Sequence, residues 1–376
     1  MKSLTIYSGH VLDNAYSCIL YLKKALEKNS HVTLWSDSVG NGELFDAECH
    51  TFRNMWYIKI PKARFVLKWF HVFFLMLFGD KTIIINDLDF FIPAYYAKKL
   101  RKTLKVIHYN TEIHGKDVKY YDFIEKFYEK HANFPDMIIE CLEERAAYRK
   151  QKFQIKKDIF VINNTCTRSM IDGIITKEKI DTFINDEVIN GRKVLVYAGS
   201  CEFGIDLDAV IDAVSKFDNL FFLCFCYGQE KSVRNLLQKC ESTLEESQYK
   251  VYQSIDREKL LNVIYHYGDI GIVYYDPRKS VNYLYASPSK FFEYMAVGLQ
   301  VLSTDNHGIN RIINTNHMGE CFQTEKDIEC ALSELLKVKK SPKQEIRQLF
   351  EQKYCYEVDS QACIDEIMKY VNGGIS

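Results

Sequence analysis

Charge of one sign is what this sequence lacks. It carries 49 Lys and Arg against 50 Asp and Glu, a net charge of −1. That balance excludes a general nucleic-acid binder, which would show a basic surplus. No Cys-x-x-Cys pair occurs among the 12 cysteines, and Cys224-Phe225-Cys226 lies inside an apolar run that reads as strand. Neither a zinc site nor a disulfide framework is therefore expected. The apolar stretch that ends at Phe78 is interrupted by Lys68 and His71 and is too short to span a bilayer. No internal repeat or low-complexity segment breaks the chain. The opening residues lead straight into a strand with no secretory leader, so reduced thiols and a cytoplasmic location are expected.

What is present suffices for two cores. The chain has 376 residues, 47% of them apolar, which suits two domains of ordinary size. Tyr (25) and Phe (24) are abundant. They suit sugar or base stacking, although most serve packing in any fold.

The stretch Ser287-Pro288-Ser289-Lys290-Phe291-Phe292-Glu293-Tyr294-Met295-Ala296-Val297-Gly298 organises the second half. Ser287 is expected as N-cap, with Pro288 at the first helical position. Phe291, Phe292 and Met295 supply an apolar face, and Gly298 stops the helix. Strands are expected on either side, over 269–275 and 299–304. A helix that opens after a strand presents free N–H groups and a positive dipole end, so its start is an anion site with Lys290 in the first turn. If the anion is a nucleotide phosphate, Glu293 one turn later can take two ribose hydroxyls. On geometry alone the same stretch also reads as an ordinary capped helix with a surface Lys and Glu.

In the first half, 4–7 reads as a strand, Ser8-Gly9-His10 as its loop, 15–28 as a helix and 31–35 as the next strand. This is a Rossmann-like opening. A strand then enters the polar loop of Asp87 and Asp89, a helix covers 93–102, and a strand with His108 runs to Glu112. The C-terminal ends of parallel strands face the ligand crevice, so Asp87, Asp89, His108 and Glu112 are expected on one rim. His10 also reads as a plain surface-loop histidine. The segment 59–78 has two readings. One is a helix buried on the first sheet, the expected state of its apolar half. The other is an interfacial segment, with Lys59, Lys62, Arg64 and Lys68 on anionic lipid and Trp69 and Phe70 at the boundary. The polar stretch 176–192 is expected as a linker, and 359–371 as a terminal helix.

The pattern Pro288-x-Lys290-x-x-Glu293-Tyr294-Met295-Ala296-x-Gly298-x-x-Val301 resembles the nucleotide-sugar motif of GT-B glycosyltransferases similar to family 4, the large retaining group. The resemblance implies an α/β fold with two Rossmann-like domains facing a cleft. An acceptor-binding domain is then expected over 1–180 and a nucleotide-sugar domain over 181–350, with 351–376 returning toward the first as a C-terminal helix. The implied activity is transfer of a hexosyl or related group from a nucleoside diphospho-sugar, UDP-sugar favoured, with no cofactor or metal required. The implied acceptor is a lipid-linked glycan in surface polysaccharide assembly. Peripheral contact with an anionic membrane through 59–70, at the inner face of the plasma membrane, is expected as well.

Carried over residue by residue, Lys290, Glu293, His108 and Glu112 are the catalytic candidates. Gly199, Ser200, Gly204, Tyr252, Tyr285, Ser287, Ser289, Lys290 and Glu293 hold the donor, and Gly9, His10, Asp87 and Asp89 line the acceptor side. Four positions depart from the family pattern. The loop Cys201-Glu202-Phe203-Gly204-Ile205-Asp206 lacks the usual basic residue, so diphosphate charge has to come from Lys290, Arg278 or Lys279. Tyr285 stands where a second Glu is common, Thr111 where a loop His is usual, and Arg311 where a Gly-x-x-Glu loop ends. Two alternatives stay open: a nucleotide-sugar 2-epimerase on the same fold, which needs further acid/base carboxylates, and a catalytically silent partner subunit.

Overall fold

The computed structural model describes residues 2–12, 17–39, 48–52, 61–113, 119–202, 205–338 and 342–373. Lys59 and Gly204 lie outside them, as do the side chains of Lys62 and Arg64. The chain divides into two compact units, Met1–Asn163 with Asp359–Ser376, and Asn164–Val358. The division falls earlier than the expected boundary at 180, and the expected linker belongs to the second unit. Ile180 N–H donates to Asn262 Oδ1 (3.2 Å), and the Tyr267 hydroxyl donates to Asp181.

The first unit holds a seven-stranded parallel sheet: β1 (Ser3–Tyr7), β2 (His31–Ser36), β3 (Cys49–Thr51), β4 (Thr82–Asn86), β5 (Lys105–Asn110), β6 (Met137–Glu140) and β7 (Ile159–Val161), in the order β3-β2-β1-β4-β5-β6-β7. Strand β4, Thr-Ile-Ile-Ile-Asn, is buried at every residue, as a parallel strand covered on both faces must be. Helices α1 (Ser17–Glu27), α2 (Pro61–Phe78), α3 (Phe91–Leu100) and α4 (Glu143–Lys152) lie in this unit. So does α9 (Gln361–Val371), which packs on α1. Thr82 Oγ1 donates to the Tyr370 carbonyl (3.4 Å), and the Tyr370 hydroxyl donates to the Asp136 carbonyl (3.2 Å). The two points where the chain leaves and re-enters this unit are tied together. Asp359 accepts from Asn163 N–H and Nδ2–H, each at 2.6 Å.

Helix α2 corrects one expectation. Its apolar half is only half covered: Val72 and Met76 are buried, while Phe70, Phe74 and Phe78 face outward. The sheet and α3 can cover one side of a cylinder, and from Trp69 onward this helix is apolar on every side but for the exposed His71. Among the described residues no helix is long and apolar enough to cross a membrane.

The second unit repeats the plan with six parallel strands: β8 (Lys193–Ser200), β9 (Leu220–Tyr227), β10 (Tyr249–Gln253), β11 (Ile270–Val273), β12 (Gln300–Thr304) and β13 (Gly319–Phe322), in the order β10-β9-β8-β11-β12-β13. Its helices include α5 (Glu230–Thr243), α6 (Arg257–Tyr267), α7 (Ser289–Ala296) and α8 (His307–Asn316). Both sheets reverse strand order once, at β1/β4 and at β8/β11. In such sheets ligands bind outside the carboxyl ends of the strands at that reversal.

Candidate functional site

In the second unit, the reversal point brings β8, β11 and α7 together. Helix α7 starts one residue later than the sequence suggests: Pro288 is the N-cap residue, and no side chain caps the end. Serine at 287 is buried and does not cap the helix. Gly271 lets α7 lie close, since a Cβ there would stand 2.4 Å from the Tyr294 ring. The Tyr294 hydroxyl accepts from Ala198 N–H (3.1 Å). This docking aims the first turn of α7 at the end of β8.

Lys290 sits there. Its Nζ lies 4.8 Å from the Tyr197 ring centroid and 5.3 Å from that of Tyr275. A Cβ on Gly199, whose φ is +155°, would stand 2.3 Å from the same Nζ. Glycine at 199 thus meets the backbone angle and leaves the space that the tip of Lys290 takes. Among the described residues the ammonium has aromatic faces but no ion pair or hydrogen bond. Burial pushes its pKa down to about 8, against the upward pull of Glu293.

Glu293, one turn on, is gripped by an arginine that sequence reading missed. Arg257 Nε donates to Glu293 Oε1 at 2.8 Å, and Nη2 reaches the same oxygen. Arg257 opens α6, whose N-cap Asp256 accepts from Glu258 and Lys259 N–H. Nothing in the spacing of residues 257 and 293 signals the pair, because it forms only when α6 and α7 share a sheet face.

Of the other charge candidates, Lys279 is exposed, with its backbone N–H on the Asp276 carbonyl (3.1 Å). Arg278 is spent on Asp276 (2.8 and 3.0 Å) and Glu325 (2.7 Å), so it is not a spare cation. Glu202, which stands in the loop that lacks a base, turns its carboxylate to Gln229 N–H and Ser232 Oγ at the start of α5. Ser200 Oγ accepts from Glu202 N–H (3.1 Å), and the Ser200 carbonyl accepts from Tyr197. Tyr252 stacks on Phe225 and donates to the Phe183 carbonyl (2.5 Å), which makes it a scaffold side chain in this state. Tyr285 leans on His307, with ring centroids 5.2 Å apart. Ser289 lies half-buried in the first turn of α7. Asn306, also missed, donates from Nδ2 to the carbonyls of Tyr275 (3.0 Å) and Tyr283 (2.6 Å), which fixes the loop under Lys290. Its position two residues after β12 is the one available hint.

In the first unit, Asp87 is the hub of the reversal point. It is fully buried with φ +53°, a left-handed conformation that costs energy for a non-glycine residue. The carboxylate accepts from Thr111 N–H (2.7 Å), Thr111 Oγ1 (2.5 Å), Glu112 N–H (3.0 Å), Asn86 Nδ2 (3.2 Å) and His10 Nε2 (2.6 Å). Five donors on one carboxylate hold three loops in register and offset the backbone strain. Gly9 is required by proximity: a Cβ there would lie 2.7 Å from Asp89 Cβ. His10, Asp87, Asp89 and Glu112 thus share one rim. His108 does not. It is fully buried, donates from its ring to the Asp87 carbonyl (2.8 Å), and packs among Phe91 and Tyr128. Its expected catalytic place is corrected to a supporting one, because position 108 of β5 points into the helix layer.

Burial by itself would lower the pKa of His10. The hydrogen bond and charge of Asp87, helped by Asp89 and Glu112, win and raise it to about 9. The unfolded value is about 6.5. A raised pKa stabilises the folded state fully below about 6.5, and that contribution is lost as pH rises through about 9. Wild-type melting temperature is therefore expected to decline across that window, and His10→Gln is expected to flatten the decline. A His10→Gln profile parallel to wild type would refute the ion pair.

No protein-family model matches the sequence, and no curated protein matches it. Solved structures do. Sucrose-phosphate synthase from Thermosynechococcus elongatus superposes with a TM-score of 0.73 at 12% identity, over 100% of both chains. A glycosyltransferase from Rickettsia africae ESF-5 gives 0.70 at 10% identity, over 98% of this chain and 99% of that one. A putative UDP-N-acetylglucosamine 2-epimerase from Listeria monocytogenes gives 0.64 at 13%, over 99% and 97%. At these identities the likeness is one of fold. The chain has the α/β GT-B fold, with two Rossmann-like units.

Proposed function

We propose that this protein is a retaining glycosyltransferase, similar to family 4, that moves a sugar from a nucleoside diphospho-sugar to a glycan acceptor. The carrying observation is Lys290: an ammonium with no anionic partner among the described residues, drawn against Gly199 at the β8/β11 reversal. Keeping a cation there costs stability, and a diphosphate would repay that cost. Charge develops on the departing diphosphate, and Lys290 with the free N–H groups of α7 would stabilise it electrostatically. Glu293 would hold the ribose, one oxygen held by Arg257 and the other open to hydroxyls. A UDP-sugar is the favoured donor, and a lipid-linked glycan in surface polysaccharide assembly the favoured acceptor.

The 2-epimerase reading keeps one observation in its favour. His10, Asp87, Asp89 and Glu112 form an acid/base cluster in the first unit, and an enzyme of that name shares the fold. The two readings separate by product: transfer gives nucleoside diphosphate and a new glycoside, epimerisation gives a C2-inverted sugar. Thermal-shift screening against UDP-, GDP- and ADP-sugars is the first test, since a ligand of the native state raises the melting temperature. A rise with one base and donor turnover in the same sample are expected. No shift with any nucleotide-sugar would defeat both readings, and binding without turnover would point to the silent subunit.

A further inference from the structure

The face of α2 that its own unit leaves uncovered is apolar apart from one exposed histidine, His71. Val66, Phe70, Phe74 and Phe78 recur every four residues and form one stripe. Their exposures are 48, 58, 51 and 78%, high for side chains of this kind. Helix α3 extends the patch with Tyr96 and Leu100, the latter 70% exposed. Between the helices runs a groove of about 420 Å³, walled by Val66, Phe70 and Phe73 on one side and Ile92, Tyr96 and Leu100 on the other. Lys99 also lines it. A patch of this extent marks a site of contact with something apolar.

The charge around the patch selects the occupant. Neither 61–79 nor 90–105 contains an Asp or Glu, while together they hold Lys62, Arg64, Lys68, Lys98, Lys99, Arg101, Lys102 and Lys105. In a chain of net charge −1 this is a local surplus. Some of it is internal. Lys68 pairs with Asp37 over the Phe52 and Phe90 rings, Lys98 pairs with Asp136, and Arg101 donates to the carbonyls of Met76, Gly79 and Asp80. Lys99 and Lys102 remain exposed beside Leu100.

We propose that the α2–α3 face docks on an anionic lipid bilayer, with the Phe stripe entering the headgroup boundary and Lys99 and Lys102 on lipid phosphates. An apolar stripe framed by lysines is the chemistry of an interfacial helix. This moves the contact from the one expected at 59–70: Lys68 faces inward, and the insertion runs through Phe74 and Phe78 and across to α3. The proposal rests on the lipid-linked acceptor for its purpose, and on the patch alone for its geometry.

Flotation of the full chain with vesicles tests it, using phosphatidylcholine alone and phosphatidylcholine mixed with phosphatidylglycerol. Wild type is expected to partition onto the anionic vesicles ~10-fold better than onto neutral ones at low salt, and less as salt rises. Phe70→Ser/Phe74→Ser/Phe78→Ser is expected to lose ~10-fold of that binding, and Lys99→Gln/Lys102→Gln to lose the salt dependence. Melting temperature and nucleotide binding should stay at wild-type values in both. The proposal is overturned if wild type ignores anionic vesicles, or if the triple variant binds them as well. It is also overturned if ultracentrifugation shows a dimer that the triple variant abolishes without vesicle binding, since a second copy then covers the face. Nucleotide binding in the same samples keeps the outcomes apart: its absence alongside vesicle binding would defeat the proposed function and leave the surface standing.

Discussion

Lys290→Met is expected to lower donor turnover by about 100-fold or more, the usual effect of removing one electrostatic stabiliser of a developing anion, and yet to raise the melting temperature of the unliganded protein. Met keeps the apolar stem between Tyr197 and Tyr275 and removes only the charge. The folded ammonium has a pKa of about 8, below the unfolded value of about 10.4. Between those values the unfolded chain binds more protons, so wild-type stability should rise with pH across about 8 to 10.4. At neutral pH the cost of holding this half-buried ammonium is present, and the variant escapes it. Nucleotide affinity should move the other way, falling as pH climbs through about 8 and the ammonium is lost, and it should be flat in the variant. Calorimetry across pH and single-turnover kinetics check both halves. If kcat stays within about a factor of two, another group carries the charge; if the melting temperature falls, the site is not strained toward an anion.

Glu293→Gln is expected to weaken nucleotide binding at least tenfold, because a hydrogen bond to a charged group contributes about 1.5–3 kcal/mol. Arg257 adds a second arm. Both of its donors fall on Oε1, so it fixes the orientation of the carboxylate. Arg257→Ala should weaken nucleotide binding too, without touching the nucleotide, and should also lower the melting temperature by leaving a largely buried carboxylate unpaired. The double variant should lose less than the two single losses combined, by about 0.5–3 kcal/mol. Arg257→Lys should recover stability more than affinity, since a lysine supplies charge but not the planar fork. Strict additivity in calorimetry would show that the two residues act independently.

Strand and helix order was legible because parallel sheets write themselves as short β-branched runs between amphipathic helices, and β4 and β8 are examples. The Lys290–Glu293 turn was legible because both residues lie on one helix. Their surroundings were not. Arg257 meets Glu293 across 36 positions, Glu202 finds the start of α5 across 27, and Asp87 gathers donors from three loops. Such contacts are set by sheet order, which no local pattern carries. Helix α2 misled for a different reason. Its second half is apolar nearly all round, which reads as buried or as interfacial alike, and only the tertiary structure shows that one side was never covered.

The tie between Asn163 and Asp359 has a consequence for how the molecule is made. Everything in the second unit, Asn164–Val358, is contiguous, so it is complete in the growing chain before α9 exists. The first unit is translated earlier but finished later, because α1, Thr82 and Asp136 wait for partners on α9. About 200 residues separate the two halves of that unit. At about 5–20 residues per second, the first-made sheet stands incomplete for roughly 10–40 s. The unit in which α9 joins the earlier-made α1 and β4 is also the one that bears the exposed α2 stripe. Until α9 arrives, the face of α1 that it covers stands open along with that stripe, so the unfinished unit exposes more apolar surface than the finished one.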